Sequence, residues 1–212
     1  MMDKQDMMKT GTTTIGIVCK DGVVLAADKR ATAGHMIVGK RFDKIHQVDD
    51  RIAVTIAGMV SDAQLLVKLI RAEIKLRKVR TNVEFSIKEA ANLIASMAYS
   101  NVRKMTMFPG IVAFVVGGMD EEPGLYNIGP DGSVTEEPEF TSDGSGSVFA
   151  FGVLETEYKK GMNLEEGQKL AKRALNAALQ RDSASGSGYD IFTITKEGVK
   201  KTVTKELFPK ID

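Results

Sequence analysis

Two short apolar runs, residues 13–19 and 23–28, constrain this chain more than any other feature; both are rich in β-branched side chains, and Lys20-Asp21-Gly22 joins them. Asp-Gly between such runs is a strong short-range hairpin signal. Neither run keeps a simple apolar/polar alternation, so the strands they form are covered on both faces. A second pair, residues 44–48 and 52–57 around Asp49-Asp50, reads the same way. Strands buried on both faces require further layers above and below them.

The rest of the pattern supplies those layers. Ser61-Asp62-Ala63-Gln64 reads as a capping box opening a helix with Ala63, Leu66, Val67, Ile70 and Ile74 on one face. Ser86-Ile87-Lys88-Glu89 is a second box, with Ile87, Ala90, Ala91, Ile94, Ala98, Val102 and Met105 as its stripe and Pro109-Gly110 as its stop. Strands are expected at 111–117 and 125–128, with Gly129-Pro130-Asp131-Gly132 as a turn. Asn163-Leu164-Glu165-Glu166 opens a third helix reaching Gln180, and residues 191–195 and 199–203 close the chain as a hairpin around Lys196-Glu197-Gly198. Strands, two helices, strands, helix, strands is the order of an antiparallel α+β layered fold rather than a doubly wound parallel sheet. With 212 residues and no linker-like stretch, the chain reads as one domain.

Composition removes several function classes. Lys+Arg 29 against Asp+Glu 28 leaves no electrostatic footprint for nucleic acid or an acidic membrane. A single cysteine, Cys19, excludes an intramolecular disulfide and a multi-Cys zinc site, and its place at the end of a core strand suits a small buried hydrophobe. No apolar run is long enough to span a bilayer, and residues 1–11 lack the apolar stretch of a secretory signal, so a cytoplasmic protein is expected. The P-loop, G-x-S-x-G and H-E-x-x-H motifs are absent, and no cofactor or metal is expected. His35 and His46 are the only histidines and read as surface or strand residues without a triad partner. The methionines at 97, 105 and 107 read as fillers of core gaps.

Hairpin geometry points to a site. If Asp21-Gly22 is the two-residue turn, Asp28 lies across from Ile15; if Lys20-Asp21 is the turn, it faces Thr13. Either way Asp28 sits at the open end of the hairpin, beside Gly11-Thr12-Thr13. A two-residue turn in the second pair sets Lys44 opposite Thr55, with Ala57-Gly58 just beyond. A threonine, a carboxylate, an ammonium and a glycine amide thus gather at adjacent strand ends. They amount to a nucleophile, a charge pair and an oxyanion donor.

At these residues the chain resembles a known family. The strings Gly11-Thr12-Thr13-Thr14-Ile15-Gly16, Ala27-Asp28-Lys29-Arg30-Ala31-Thr32, Lys44-Ile45, Ala57-Gly58, Asp143-Gly144-Ser145-Gly146-Ser147, Gly152-Val153-Leu154-Glu155 and Arg181-Asp182-Ser183-Ala184-Ser185-Gly186 resemble, in order, the archaeal-type 20S proteasome β subunits. The resemblance implies an N-terminal-nucleophile hydrolase with a four-layer αββα sandwich. It makes residues 1–11 a propeptide, Gly11–Thr12 the self-cleavage bond and residues 12–212 the hydrolase domain. It assigns catalysis to Thr12, Asp28, Lys44 and Gly58, with Ser145, Asp182 and Ser185 around the Thr12 amine. Arg30, Ala31, Thr32, Ile56, Val60 and Gln64 fall at substrate-binding positions, with Phe42 and His46 nearby.

The chemistry that the resemblance implies is physically coherent. A hydroxyl needs a base near neutral pH, and the freed Thr12 α-amine, with a reference pKa of about 7.7–8.0, can serve without a histidine. Lys44 as ammonium favours loss of the hydroxyl proton, and Asp28 keeps that ammonium charged and oriented. Apolar Ala31, Ile56 and Val60 imply cleavage mainly after hydrophobic residues. The implied partners are seven-membered β rings stacked with α-subunit rings, a ring ATPase and unfolded polypeptides, with neither nucleic acid nor membrane. The competing expectations are a ring subunit that assembles without cleaving and a generic α+β binding domain.

Overall fold

The computed structural model describes residues 11–106 and 110–207. Strands β1 (Thr14–Cys19) and β2 (Gly22–Asp28) form the expected hairpin, and β2 pairs on its other edge with β11 (Gly188–Thr195), which pairs with β12 (Gly198–Glu206). Strand β10 (Phe140–Asp143) completes this antiparallel sheet beside β1. A second five-stranded antiparallel sheet runs in chain order through β5 (Ile45–Asp49), β6 (Ile52–Gly58), β7 (Val112–Met119), β8 (Pro123–Ile128) and β9 (Val134–Glu136). A small separate hairpin joins β3 (Ala31–Ala33) to β4 (Met36–Gly39). Helices α1 (Val60–Thr81) and α2 (Ile87–Val102) cover the second sheet, and α3 (Ser147–Glu157) and α4 (Leu164–Arg181) cover the first. This is the αββα sandwich.

Strand β2 shows why simple alternation is missing. Val23, Leu25 and Ala27, with Ile194 beside them, pack against Val115 and Leu125 between the sheets, whereas Val24 and Ala26 face Leu170, Ala174 and Leu175 under α4. Both faces are apolar because both are buried. Each fully buried aliphatic side chain contributes roughly 1.5–3 kcal/mol, so the pattern is energetically enforced. The Ser86 and Asn163 capping boxes both form, each side chain accepting from the N–H three residues on.

Several details differ from the sequence reading. The second hairpin turns after Asp49, which pairs with Ile52, and a bulge at Val48 then shifts the register. Ile45 therefore lies opposite Thr55, and the Lys44 carbonyl accepts from Ile56 N–H at 2.9 Å; Lys44 is displaced by one residue from the position facing Thr55. The first long helix begins at Val60 with Met59 as its uncapped N-cap, so Ser61 already lies inside it and no capping box forms there. Met105 lies beyond α2 and is fully exposed rather than part of the stripe, which ends instead on buried Asn101. Strands β3, β4, β9 and β10 and helix α3 were not anticipated. Residues 1–10, Met107 and Pro109 lie outside the described residues.

Candidate active site

Six segments converge at one end of the sandwich: the start of β1, the end of β2, the residue before β5, the end of β6, the loop before α3 and the loop after α4. The β1–β2 register takes the Lys20-Asp21 alternative, with Thr14 opposite Ala27 and the Asp28 N–H donating to the Thr13 carbonyl at 3.2 Å. Asp28 is therefore held at the nucleophile's end of the hairpin. Its carboxylate is 1% exposed and receives four donors. Oδ1 accepts from Lys44 Nζ at 2.7 Å and Thr13 N–H at 3.0 Å; Oδ2 accepts from Arg30 N–H at 3.0 Å and Gly186 N–H at 2.9 Å. These fill the acceptor capacity of a carboxylate and fix the Lys44 ammonium as its one side-chain partner. Burial pushes the Lys44 ammonium below its ordinary value of 10.5, and the pairing with Asp28 works against that shift.

A second network surrounds the Thr12 nitrogen. Asp182 caps the C-terminus of α4, where the helix dipole disfavours an anion. Two hydroxyls offset this: Ser145 Oγ at 2.7 Å and Ser185 Oγ at 2.6 Å, both on Oδ2. Since each hydroxyl has one proton and gives it to Asp182, both must accept elsewhere. Ser145 accepts from Thr12 N–H at 3.2 Å, and Ser185 accepts from Thr13 Oγ at 2.7 Å. Thr13, which the sequence reading did not single out, joins the two networks through its N–H to Asp28 and its hydroxyl to Ser185.

Around Thr12 runs a cleft lined by Arg30, Ala31, Thr32, Lys44, Ile56 and Val60 among others, with Gly58 and Gly11. Its free volume is about 20 Å³ with residue 11 in place, room for about one water. The Gly11 N–H donates to Thr32 Oγ1 at 3.1 Å. A Cβ at position 11 would stand 1.7 Å from that of Ala184, so only glycine fits before Thr12. Gly58 has φ +128, and a Cβ there would meet the Ile111 carbonyl at 2.2 Å. Only glycine carries its amide to this cleft.

Every expected site residue except Gln64 takes part in these networks or lines the cleft. Gln64 is exposed on α1, one turn beyond Val60, and His46 likewise stands outside the lining; Phe42 belongs to it. The donors to Asp28 from Thr13, Arg30 and Gly186 are backbone groups, which no side-chain motif advertises. Wider hollows, among them ones of about 740, 800 and 770 Å³, lie elsewhere. The first is lined by Cys19, but burial, with Asp21 and Glu166 adding to it, pushes that thiol up to about 12, leaving no thiolate nucleophile. Among the described residues no His, Cys, Asp and Glu cluster could hold a metal ion, and no helix is long and apolar enough to cross a membrane.

Comparison with known proteins shows the family of the chain. Residues 8–194 match the family model described as proteasome subunit. The proteasome subunit beta of Methanocaldococcus vulcanius is 46% identical over 95% of this chain and 89% of its own length. Proteasome subunit beta 1 of Thermococcus kodakarensis is 48% identical over 93% of this chain and 95% of its own length. The Methanopyrus kandleri proteasome subunit beta is 43% identical over 99% of each.

Proposed function

The chain belongs to the proteasome subunit family, and we propose that it is a proteolytic β subunit of the proteasome core, a threonine endopeptidase activated by its own cleavage at Gly11–Thr12. One observation carries this reading. The nitrogen that cleavage would free already donates to Ser145, whose hydroxyl is anchored on Asp182, while the Lys44–Asp28 pair lines the same end of the molecule.

In activation, Thr12 Oγ attacks the Gly11 carbonyl and the acyl group moves from nitrogen to oxygen. Water then hydrolyses the ester, releasing residues 1–11 and the Thr12 amine. In each later turnover that amine takes the Oγ proton, directly or through water, as Oγ attacks a substrate carbonyl. The proton passes to the leaving amine, and water resolves the acyl-enzyme. The Lys44 ammonium favours the alkoxide, and the Gly58 amide donates to the oxyanion, a contribution of about 3–4 kcal/mol for one such donor. Thr32 and Gly58 hold the substrate backbone as an added strand, which tolerates varied sequences. The subunit works in the cytoplasm in seven-membered rings, stacked with α-subunit rings and fed unfolded polypeptide by a ring ATPase.

The direct test is the intact mass of the chain in assembled particles, before and after treatment with a peptide epoxyketone. Loss of residues 1–11 and one adduct on Thr12 are expected. A full-length, unlabelled chain in complete particles would instead establish the structural-subunit reading.

Side-chain preference follows from the cleft. Ala31, Ile56 and Val60 are apolar, the charged side chains lining it are Arg30 and Lys44, and among the described residues no carboxylate does. In a panel of fluorogenic peptides, hydrolysis after leucine, phenylalanine or tyrosine should exceed that after arginine or lysine by at least about 10-fold. Preference for the basic residues would refute this pocket assignment.

A further inference from the structure

We infer that Asn101 is a positioning residue for the Gly58–Val60 turn, setting the oxyanion amide and one wall of the cleft from behind; the role rests on the proteolytic reading above. Asn101 sits in the last turn of α2 and is 5% exposed, where an unsatisfied carboxamide would be costly. It is fully used. Its Nδ2 donates to Asp62 Oδ1 at 3.2 Å and to the Gly110 carbonyl at 3.0 Å, and its Oδ1 accepts from Lys104 Nζ at 3.3 Å. One side chain thus ties the end of α2 to the first turn of α1 and to the segment entering β7.

Those two segments hold the turn that carries Gly58. Met59, the N-cap of α1, supplies no side-chain hydrogen bond, so the start of α1 is not fixed by its own cap. Its N–H donates instead to the Ile111 carbonyl at 2.9 Å, the same atom that a Cβ on Gly58 would strike. Residue 111 is therefore the platform for the turn, and residue 110 is what Asn101 grips. The grip is close: a Cβ at Gly110 would lie 2.1 Å from Asn101 Nδ2 and 2.3 Å from Asp62 Oδ1. Asp62 holds the other flank, four residues after Gly58. Asn101 and Asp62 line no part of the Thr12 cleft, so any effect they have on turnover passes through the turn.

Oxyanion donors act only within a narrow distance of the developing charge, and a misplacement of about 1 Å can cost about 100-fold in rate. A residue with a merely structural role would lower the melting temperature without touching the chemical step. The test uses the full chain co-assembled with its α-type partner, as wild type, Asn101→Leu, Asp62→Ala and the double variant, with rates taken per assembled particle. Both single variants should lower kcat about 10- to 100-fold and KM by less than about 3-fold, and weaken a peptide boronate in parallel with kcat. The acid limb of the pH profile, set by the Thr12 amine, should stay in place. Because both side chains act through one clamp, the double variant should be no worse than the poorer single one. Wild-type kcat in both variants, additive losses, or a fall confined to thermal stability would overturn the role of Asn101. An inactive wild type would overturn the proteolytic reading itself, and this role with it.

Discussion

Replacing Lys44 with alanine will abolish release of residues 1–11 and reduce peptide hydrolysis by at least about 100-fold. In the proposed mechanism both reactions begin with loss of the Thr12 hydroxyl proton, and in both the Lys44 ammonium is the positive charge that favours it. The side chain is 4% exposed and 2.7 Å from Asp28 Oδ1, so its charge acts in a site largely withdrawn from water. Removing one partner of a buried ion pair also destabilises, typically by about 3–5 kcal/mol, so activity is to be read only in assembled particles. Asp28→Asn supplies the second measurement, since it keeps the shape of the pair and removes the charge that orients Lys44. It should lose activity comparably. Normal turnover in assembled Lys44→Ala particles would remove Lys44 from the mechanism.

The same residue sets a pH signature. Burial lowers the Lys44 ammonium from its ordinary value, so its proton is lost as pH rises through a point below 10.5. A mechanism that needs the charged form loses rate there, on the alkaline side, while the freed Thr12 amine must be unprotonated to act as the base, which gives an acid limb. A bell-shaped profile between those limits is the expected result. If neutral Lys44 were the base instead, the rate would climb through the alkaline limb, and the roles of Lys44 and the amine would be exchanged.

How much of this was legible in the sequence depended on whether the signal was local. The β1–β2 hairpin carries its own turn chemistry at Lys20-Asp21-Gly22, and the covered faces of β2 are written in Val23 through Ala27, so strand, register alternatives and layering could all be read. The β5–β6 register could not, because the Val48 bulge adds a residue without any glycine or proline to announce it. The start of α1 was misread for a related reason: Ser61-Asp62-Ala63-Gln64 has capping chemistry, but the turn anchored on Ile111 winds the helix before Ser61. Helix α3 is hard to read because its buried face is short, Ala150 and Leu154 with Val153 beside them, while apolar Val148 and Phe149 off that face blur the period.

The site divides in the same way. Thr12, Asp28, Lys44 and Gly58 are side chains or glycines at strand ends, and pattern arithmetic brought them close. What orients them is mostly backbone: three of the four donors to Asp28 are N–H groups from residues 13, 30 and 186. A backbone N–H is common to every residue but proline, so composition cannot reveal these donors. Asn101 was hidden differently, inside an apparent apolar stripe whose last members, Val102 and Met105, are not buried.

A Thr12→Ala chain will assemble, retain all of residues 1–11 and hydrolyse no peptide, whereas Thr12→Ser will be processed and keep part of the activity. Alanine removes the one atom proposed to attack in both reactions, yet its side chain fits the space threonine fills, and Thr12 Oγ is not among the bonds that tie the Asp28 and Asp182 networks together. Ser145 still accepts from the residue-12 N–H in the variant, so the junction keeps its place and only the chemistry is lost. Serine restores the hydroxyl and, after cleavage, the amine, so both steps remain open to it. The paired variants therefore separate nucleophile from scaffold: intact mass reports the first reaction and fluorogenic turnover the second. Release of residues 1–11 from Thr12→Ala particles would mean that another agent cuts the bond, and self-activation would have to be given up. Equal loss of activity in Thr12→Ser would show that position 12 contributes more than a hydroxyl and an amine, through the packing of the threonine methyl group in the cleft.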